Sequence, residues 1–556
     1  MINELMINNA IVPTPQPDAV FVQDDIDDRL AAAVAAGNRW TLGRTVVDLG
    51  TTGNDHDPAG LTIGLRTSGE VSRIVLRWRR RSPATMTVSG DAWERSYGEL
   101  GWERLRPERV LPWYWTGWDE PSGAVIGAGV DVRPSAFCFW TVDPQGISLW
   151  LDVRNGGSAL VPGDREIALA TVRWIDSVDR SPQQAQRDLV DAMAGRRSAG
   201  LLPQQPLVGA NNWYYAYGVG FDREAVLGDA RTVVELADRH PVRPYSVIDD
   251  GWNAGGPGSG GPWDEGIPGI FDDMAEVAAE ITAIGARPGL WFRPLRSRAE
   301  SDRGLAIPRP DRDREVTLDP TRPEVLDRVT DDLRRFRGWG YELIKHDFSS
   351  YDIFGRFGPA MGAELTVAGW SFADRSRTNA EIINTFYDVI REAADSALLL
   401  GCNTIGHLAA GVVDAQRTGD DTSGRDWERT RRMGVNTLAH RLVQHRRLFT
   451  VDADCVPCTP QVPWQLNRQF LDLVARSGTA LFVSIDPRSR TEQTDADLAA
   501  ALRIALDGGD AGDGCGPDSV QAIDGTYSST PADWCFGELR RHYDWADAPG
   551  TSPFLG

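Results

Sequence analysis

The sequence predicts a multidomain chain: an N-terminal antiparallel β-sandwich, then a (β/α)8 TIM barrel, then a short C-terminal appendage. The first reason is length, because 556 residues exceed what one hydrophobic core usually serves. The second is a run of strand-like segments in the first third of the chain. The third is a regular alternation of short apolar strands and longer helical stretches after it. We expect boundaries at residues 1–195, 196–508 and 509–556.

The N-terminal part contains segments that alternate polar and apolar residues or run apolar over strand lengths, such as LTIGLRT, SRIVLRWRR, GISLWLDVR and EIALATVRWI. Turn residues, mainly Gly, Pro and Asp, separate them, as in a β-sandwich. Three tryptophans cluster in LPWYWTGWDE, at Trp113, Trp115 and Trp118. Such a cluster serves either the core of the sandwich or a sugar-binding face, and the sequence leaves both interpretations open.

Eight candidate strands follow, with helical stretches such as EAVLGDARTVVELADR and MAEVAAEITAIG between them. They are VGANNWYY, PYSVIDD, RPGLWF, YELIKHD, ALLLGCN, VVDAQRTG, LFTV and ALFVSI. Eight strands in β–α alternation predict a barrel whose functional residues lie at the C-terminal ends of the strands. Those ends carry Trp213, Asp249, Asp250, Trp291, Lys345, Asp347, Cys402, Asn403, Arg417, Asp420, Asp421 and Asp486. Carboxylates that accept hydroxyl hydrogens, together with tryptophan faces that stack on a pyranose, indicate a sugar site.

The segment YELIKHD contains the single lysine of the chain, Lys345, among 58 basic residues of which the others are arginine. We interpret the presence of lysine here as evidence that the wider guanidinium of arginine does not fit at this position. Alternate residues of a strand share a face, so Lys345 and Asp347 should lie side by side. A neighbouring ammonium keeps a carboxylate ionised, as a nucleophile requires. His346 should point outward as a packed residue.

The motif Arg417-Thr-Gly-Asp-Asp421 follows the sixth strand and supplies a second carboxyl. A retaining glycoside hydrolase needs a nucleophile and an acid/base about 5 Å apart. Two carboxyls at that distance repel, so one of them keeps its proton. Asp421 fits the acid/base role, and Asp420 is the close alternative.

These motifs together resemble the α-galactosidase, or melibiase-like, clan, and are most similar to glycoside hydrolase family 36. They are Asp249-Asp250-Gly-Trp252, Gly-Leu-Trp291, Lys345-His-Asp347, Gly401-Cys402-Asn403 and Arg417-x-Gly-x-Asp421-Thr. The resemblance spans roughly residues 206–490 and includes a preceding β-sandwich. It implies a hydrolase that removes terminal α-linked galactose with retention of configuration.

Roles for individual residues follow from that resemblance. Asp347 corresponds to the nucleophile and Asp421 to the acid/base. Asp249 and Asp250 would hold O4 and O6 of the sugar, and Trp213 and Trp291 would form pocket walls. Lys345, Cys402, Asn403 and Arg417 would complete the binding residues, while Asp452 and Asp454 would be mainly structural. The stretch Thr404–Ala410 should lie near the substituent at C2 or near the next sugar.

Other functions of the same scaffold stay open: an α-N-acetylgalactosaminidase, a β-L-arabinopyranosidase, a raffinose-synthase-like transglycosylase or an inactive sugar-binding protein. We expect no cofactor and no metal, because the seven histidines are scattered and Cys455-Val-Pro-Cys458 has no second pair. Cys515 and Cys535 are candidates for pairing. The substrate should be a small carbohydrate, and family resemblance is compatible with a homo-oligomer.

The formal charge of -21 disfavours nucleic acid as a partner, because a polyanion repels phosphate backbones. No run of apolar residues is long enough to span a membrane. The N-terminal residues lack the features of a secretory signal, so we expect a cytoplasmic protein.

Overall fold

The structure is a computed structural model that describes residues 11–25, 29–54, 57–195, 202–238, 240–311, 316–509 and 519–545. The chain divides into two compact units, each discontinuous in sequence. One comprises Met1–Trp93, Trp102–Arg197 and Met361–Asn384, and the other Glu94–Gly101, Ser198–Ala360 and Thr385–Gly556. The domain boundaries at 195/196 and 508/509 stay predictions.

In the described residues, the first unit contains two antiparallel sheets and one complete helix. Its elements are β1 (Ile11–Val12), β2 (Ala19–Gln23), β3 (Ala31–Ala32), β4 (Val34–Ala36), β5 (Arg39–Leu42), β6 (Thr45–Asn54), β7 (Asp57–Thr67), β8 (Arg73–Arg79), β9 (Thr87–Gly90), β10 (Glu103–Arg104), β11 (Leu111–Pro112), β12 (Tyr114–Asp119), β13 (Ala124–Val130), β14 (Phe137–Asp143), β15 (Gly146–Asp152), β16 (Glu166–Ser177) and α1 (Pro182–Ala194). One sheet has the order β10-β9-β12-β13-β16-β7-β6-β5-β4, with β1 on β16, and the other β11-β14-β15-β8-β2-β3. This is the predicted β-sandwich.

Tryptophans fill the space between the two sheets. The Trp78 ring of the smaller sheet lies 5.6 Å from Trp174 of the larger one and 6.0 Å from Trp140. Trp113 and Trp115 are fully buried, and Trp113 packs edge-on against Trp93. Large aromatic rings bury much apolar surface, so they stabilise a sandwich of this size. Core packing therefore accounts for Trp113 and Trp115.

The second unit contains the barrel. Its strands are β17 (Val208–Asn211), β18 (Tyr245–Ile248), β19 (Arg287–Phe292), β20 (Arg296–Ser297), β21 (Val316–Thr317), β22 (Leu343–His346), β23 (Leu398–Gly401), β24 (Ala415–Arg417), β25 (Thr450–Asp452), β26 (Val456–Cys458), β27 (Leu481–Ile485), β28 (Val520–Ala522), β29 (Asp533–Phe536) and β30 (Leu539–His542). Its helices are α2 (Trp213–Ala216), α3 (Arg223–Leu236), α4 (Met274–Ile284), α5 (Pro323–Gly338), α6 (Ser349–Phe354), α7 (Gly358–Met361), α8 (Asn379–Ala394), α9 (Gly406–Ala409), α10 (Trp427–Thr430), α11 (Asn436–Arg441), α12 (Trp464–Ser477) and α13 (Glu492–Leu506), of which α7 and α8 cross the boundary between the units.

Parallel strands β17, β18, β19, β22, β23, β24 and β25 pair in chain order, and β27 pairs with β17. The seventh barrel strand is interrupted: β25 pairs with β24, and β26 pairs with β27. The backbone of Asp454, between β25 and β26, has a φ of 79°, which redirects the chain there. All eight predicted strands are present, so the predicted barrel is confirmed.

The helices around the barrel begin with side-chain caps that satisfy free backbone amides. Asp222 accepts from Ala225 N at the start of α3, and Asp273 accepts from Ala275 N and Glu276 N at the start of α4. The last three strands form a small antiparallel sheet in the order β28-β29-β30, the predicted appendage. In the described part of the chain, no helix is both long and apolar enough to cross a membrane.

The two cysteines with metal-like spacing, Cys455 and Cys458, are both buried in and beside β26. Burial raises the pKa of the Cys455 thiol and raises that of Cys458 to about 12. Cys515, the candidate partner of Cys535, lies outside the described residues.

Candidate active site

A cavity of about 350 Å³ lies at the C-terminal ends of the barrel strands, a size at the lower end of small-molecule sites. Its lining comes from the loops that follow the strands and from the loop Glu94–Gly101, which belongs to the barrel unit. The lining residues are Arg95, Tyr97, Trp213, Asp249, Asp250, Gly258, Trp291, Arg293, Lys345, Asp347, Phe348, Phe357, Asp420, Asp421 and Arg429. Five carboxylates and four basic groups thus meet around one small volume.

Asp347 follows β22 and is held by three hydrogen bonds. Trp291 Nε1 donates to Oδ2 at 2.9 Å, while the amides of Phe348 and Asn403 donate to Oδ1 at 2.7 and 3.0 Å. The backbone of Phe348 has a φ of 61°, and this turn aims its amide at the preceding carboxylate. The carboxylate therefore has a fixed orientation, as a nucleophile requires.

Burial alone would raise the pKa of Asp347, but the positive charges of Lys345 and Arg95 and the Trp291 hydrogen bond lower it more. The net effect holds the pKa below its usual value, so the carboxylate is ionised at neutral pH. Lys345 acts on Asp347 through its charge, while its Nζ donates to Asp249 Oδ2 at 2.6 Å.

Asp249 and Asp250 follow β18 and differ in their surroundings. Asp249 Oδ2 accepts from Asn211 Nδ2 and from Lys345 Nζ, both at 2.6 Å. Asp250 Oδ2 accepts from Gly258 N at 2.9 Å, and Oδ1 is buried without a hydrogen-bond partner among the described residues. Gly258 has a φ of 66°, a conformation that favours glycine and presents its amide to Asp250. Burial raises the pKa of Asp250 to about 6.

Asp421 lies opposite an unusual pair of arginines. Arg95 Nη1 and Arg417 Nη2 both lie 3.1 Å from the same oxygen, Oδ1. Burial would raise the pKa of Asp421, but these two guanidinium groups and Lys345 outweigh it and lower the pKa to about 2. Asp420 next to it is paired with Arg95 Nη2 at 3.2 Å and with Arg429 at 2.5 Å. The resting Asp421 is therefore an ionised carboxylate, the form of a general base.

Three residues expected to bind substrate lie behind the lining. Arg417 is 2% exposed and pairs with Asp454 at 2.9 Å as well as with Asp421. Asn403 uses Oδ1 to accept from Tyr351 N and Nδ2 to donate to Glu94. Cys402 is buried with its Sγ 3.8 Å from Arg417 Nη1. In this structure they support the groups that line the cavity.

Other expectations concern residues next to the cavity. Asp454 Oδ2 accepts from Thr422 N at 2.7 Å and from the hydroxyl of Tyr214, so this residue ties the loop after β24 to the interrupted strand. His346 points away from the cavity and packs against the rings of Phe386 and Tyr387. The stretch Thr404–Ala410 is largely buried and contributes no residue to the described lining.

Sequence reasoning missed several lining residues. Arg293 directly follows β19, so the strand-end rule itself could have found it; it pairs with Asp352 and its guanidinium lies 4.1 Å above the Phe348 ring. Arg95 and Tyr97 come from a loop between two sandwich strands, β9 and β10. No local pattern in DAWERSYGE distinguishes them from ordinary loop residues.

Comparisons with protein-family models and with curated protein sequences gave no match. Solved structures do match. An α-galactosidase from Thermus thermophilus in complex with p-nitrophenyl α-D-galactopyranoside aligns with a TM-score of 0.60 and 19% identity, over 91% of this chain and 98% of that one. A GH36 α-galactosidase from Geobacillus stearothermophilus aligns at 0.57 and 14%, over 84% of this chain and 69% of that one.

An α-galactosidase from Lactobacillus brevis aligns with a TM-score of 0.57 and 16% identity, over 89% of this chain and 69% of that one. At such identities the alignments establish the architecture. The predicted resemblance is therefore confirmed at the level of the fold: the chain has the β-sandwich and barrel of α-galactosidases, including those of glycoside hydrolase family 36.

Proposed function

We propose that the protein is a retaining, exo-acting α-galactosidase. The observation that carries this proposal is the presence in one small cavity of two carboxylates with different surroundings. Asp347 is fixed by three donors and ionised, whereas Asp421 keeps Oδ2 without a hydrogen bond from the described residues. One carboxylate is arranged to attack and the other to exchange a proton, which is the pair that double displacement needs.

In the first step Asp347 forms a bond to the anomeric carbon while the bond from that carbon to the leaving oxygen breaks. Asp421, which has to take up a proton in the substrate complex, gives that proton to the leaving oxygen, and the sugar remains as a β-linked ester of Asp347. In the second step Asp421 takes a proton from water, and the water oxygen attacks the anomeric carbon. The ester bond breaks, Asp347 is released as a carboxylate, and the product has the α configuration of the substrate.

Other lining residues support recognition of the glycone. Asp250 Oδ1 is a buried acceptor to which no described residue donates, and such an atom costs free energy until a donor reaches it. A sugar hydroxyl is a donor of the right size, and Asp249 with Lys345 offers a second acceptor and an ammonium beside it. Two adjacent carboxylates can hold an axial O4 together with O6, which favours galactose over glucose. Trp213 and Trp291 provide apolar wall for the sugar ring.

Hydrolysis of p-nitrophenyl α-D-galactopyranoside tests the proposal directly. The panel should include the α-N-acetylgalactosaminide, the β-L-arabinopyranoside and β-galactoside controls, with the anomeric configuration of the first product followed by NMR. We expect α-galactoside hydrolysis with α-galactose released first. Initial release of β-galactose would contradict the retaining mechanism.

The same panel separates the alternatives. Preference for the N-acetylated or pentose substrate would change the glycone assignment. Transfer to raffinose-type acceptors faster than to water would indicate a transglycosylase. Galactose binding by calorimetry with no turnover of any substrate would indicate a sugar-binding protein.

A further inference from the structure

The loop Glu94–Gly101 is fastened to the barrel unit on both sides of Arg95. Ser96 N donates to Thr418 O at 2.8 Å, and Asp420 N donates to Ser96 O at 2.7 Å. Glu94 accepts from Gly358 N at 2.8 Å and from Asn403 Nδ2. Backbone and side-chain bonds therefore place Arg95 next to the two aspartates that follow β24.

The guanidinium of Arg95 joins these aspartates. Nη1 lies 3.1 Å from Asp421 Oδ1 and Nη2 lies 3.2 Å from Asp420 Oδ1. The Arg95 side chain is 6% exposed, whereas that of Asp421 is 36% exposed. Arg417 bonds to the same Oδ1 from the other side. Two arginines thus occupy one oxygen of Asp421 and leave Oδ2 as the oxygen that can reach a ligand.

The two arginines differ in their access to a ligand. Arg417 is 2% exposed, lies outside the lining and is also paired with Asp454. Arg95 lines the cavity, so a sugar hydroxyl can compete with Asp421 for its donors. Substrate binding can therefore weaken the Arg95 contact while it leaves the Arg417 contact in place.

We propose that Arg95 is a positioning residue for Asp421. By holding Oδ1, Arg95 turns Oδ2 toward the leaving group. Its guanidinium also keeps the carboxylate ionised until a bound sugar accepts the Arg95 hydrogen bonds in place of Asp421. This inference rests on the proposed function, because it assigns a role within that reaction. An ionised Asp421 suits the water step, in which it acts as a base. The first step needs Asp421 protonated. When substrate is present, a shift of the Arg95 hydrogen bonds from Asp421 to the sugar would favour proton uptake by Asp421.

The charges around Asp421 support this role. Among the separate effects that lower the pKa of Asp421, the charge of Arg95 is the largest, and Arg417 lowers it through both its charge and its hydrogen bond. The titratable and charged groups that face Asp421 are Arg95, Asp420, Arg417, Lys345, Asp347 and Tyr214. Of the three described cations that act on Asp421, Lys345 and Arg417 lie on barrel strands, whereas Arg95 does not and can be changed without altering a strand.

The test compares pH profiles of wild type, Arg95→Gln and Arg95→Lys on an α-galactoside. The profile of kcat/KM reports the free enzyme and that of kcat the enzyme–substrate complex. In wild type the alkaline limb of kcat should lie at higher pH than that of kcat/KM. In Arg95→Gln the kcat/KM limb should rise by about one pH unit or more, because an opposite charge within hydrogen-bond distance is lost. The two limbs should then nearly coincide.

Arg95→Lys keeps the positive charge, so the alkaline limb of its kcat/KM profile should stay near the wild-type position. Its kcat could still fall, because lysine would not orient Asp421 as arginine does. A matched control is Arg391→Gln, which removes a guanidinium 2.9 Å from Asp414, a partner that precedes β24 and lies away from the cavity. This control should not move the limb. An unmoved limb in folded Arg95→Gln, or an equal shift in Arg95→Lys or Arg391→Gln, would overturn the proposal.

A second readout does not depend on turnover. Infrared difference spectra through a pH titration, assigned by subtraction of Asp421→Asn, should show the Asp421 carboxyl protonating at higher pH in Arg95→Gln than in wild type. Failure of the wild type to hydrolyse any α-galactoside would reject the proposed function, and the infrared titration would still decide whether Arg95 controls Asp421. Identical titration of Asp421 in both proteins would overturn the inference alone.

Discussion

Lys345 Nζ lies 2.6 Å from Asp249 Oδ2, so the single lysine of the chain joins the carboxylate after β18 to the strand that precedes Asp347. The Lys345 side chain is 8% exposed, and the charge of its ammonium also lowers the pKa of Asp347. One compact cation thus contacts Asp249, a proposed sugar-binding carboxylate, and favours the ionised form of Asp347, the proposed nucleophile.

Replacement of Lys345 by Arg should leave the fold intact and weaken sugar binding. The positive charge beside Asp347 remains, so the acid limb of the pH profile should shift little. The wider guanidinium cannot keep the contact with Asp249 without entering the space of the sugar. We expect a loss of about 2–5 kcal/mol in kcat/KM, mainly through KM. Steady-state kinetics with circular dichroism as folding control measures this, and wild-type activity would show the lysine to be dispensable.

Asp347→Ala should abolish turnover, and azide should restore part of it. The alanine leaves space at the anomeric carbon, where azide can take the place of the missing carboxylate. Because azide attacks from the side of the nucleophile, the product should be β-galactosyl azide, identifiable by NMR. Full activity of the variant without azide would assign the nucleophile elsewhere.

Asp421→Asn should affect substrates in proportion to their need for a proton. A disaccharide has a poor leaving group, so its kcat/KM should fall by about 100-fold or more, whereas a dinitrophenyl galactoside should lose much less in the first step. Asp420→Asn is the matched control, because Asp420 shares Arg95 but pairs on its other side with Arg429. A stronger dependence on leaving group in Asp420→Asn would transfer the acid/base role to that residue.

Asp229→Asn should stabilise the protein at alkaline pH. Asp229 accepts from the hydroxyl of Tyr215 at 2.6 Å, and burial raises its pKa to about 7. Because the folded pKa lies above the unfolded value, the native state binds the extra proton between about pH 4 and 7, and stability falls as pH rises through that window. Asparagine keeps the acceptor without the charge.

We expect the free energy of unfolding of Asp229→Asn to exceed that of wild type by about 1–2 kcal/mol at pH 8 and to match it near pH 4. Urea denaturation at both pH values measures the difference. An equal effect at both pH values would mean that the change reflects packing rather than ionisation.

The sequence by itself determined the barrel and the edge of the barrel that carries the site. Eight apolar strands separated by helices have few other ways to bury their side chains, and parallel strands end at a common edge. The alternation of side chains along β22 predicted that Lys345 and Asp347 would share a face, with His346 on the other. These are local regularities with periods of two residues or of one β–α unit, so they can be read along the chain.

The tertiary structure alone decided which strand-end groups reach the cavity and how the second carboxylate is oriented. As predicted, Arg417 ends β24, and Cys402 and Asn403 follow β23. However, Arg417 pairs with Asp454 and Asn403 bonds to Glu94, so neither lies among the residues that line the cavity. Asp420 and Asp421 are adjacent in sequence, and Arg95, which lies 326 residues from Asp421, distinguishes their surroundings. Contacts across such a separation depend on how the whole chain folds, so no local pattern encodes them.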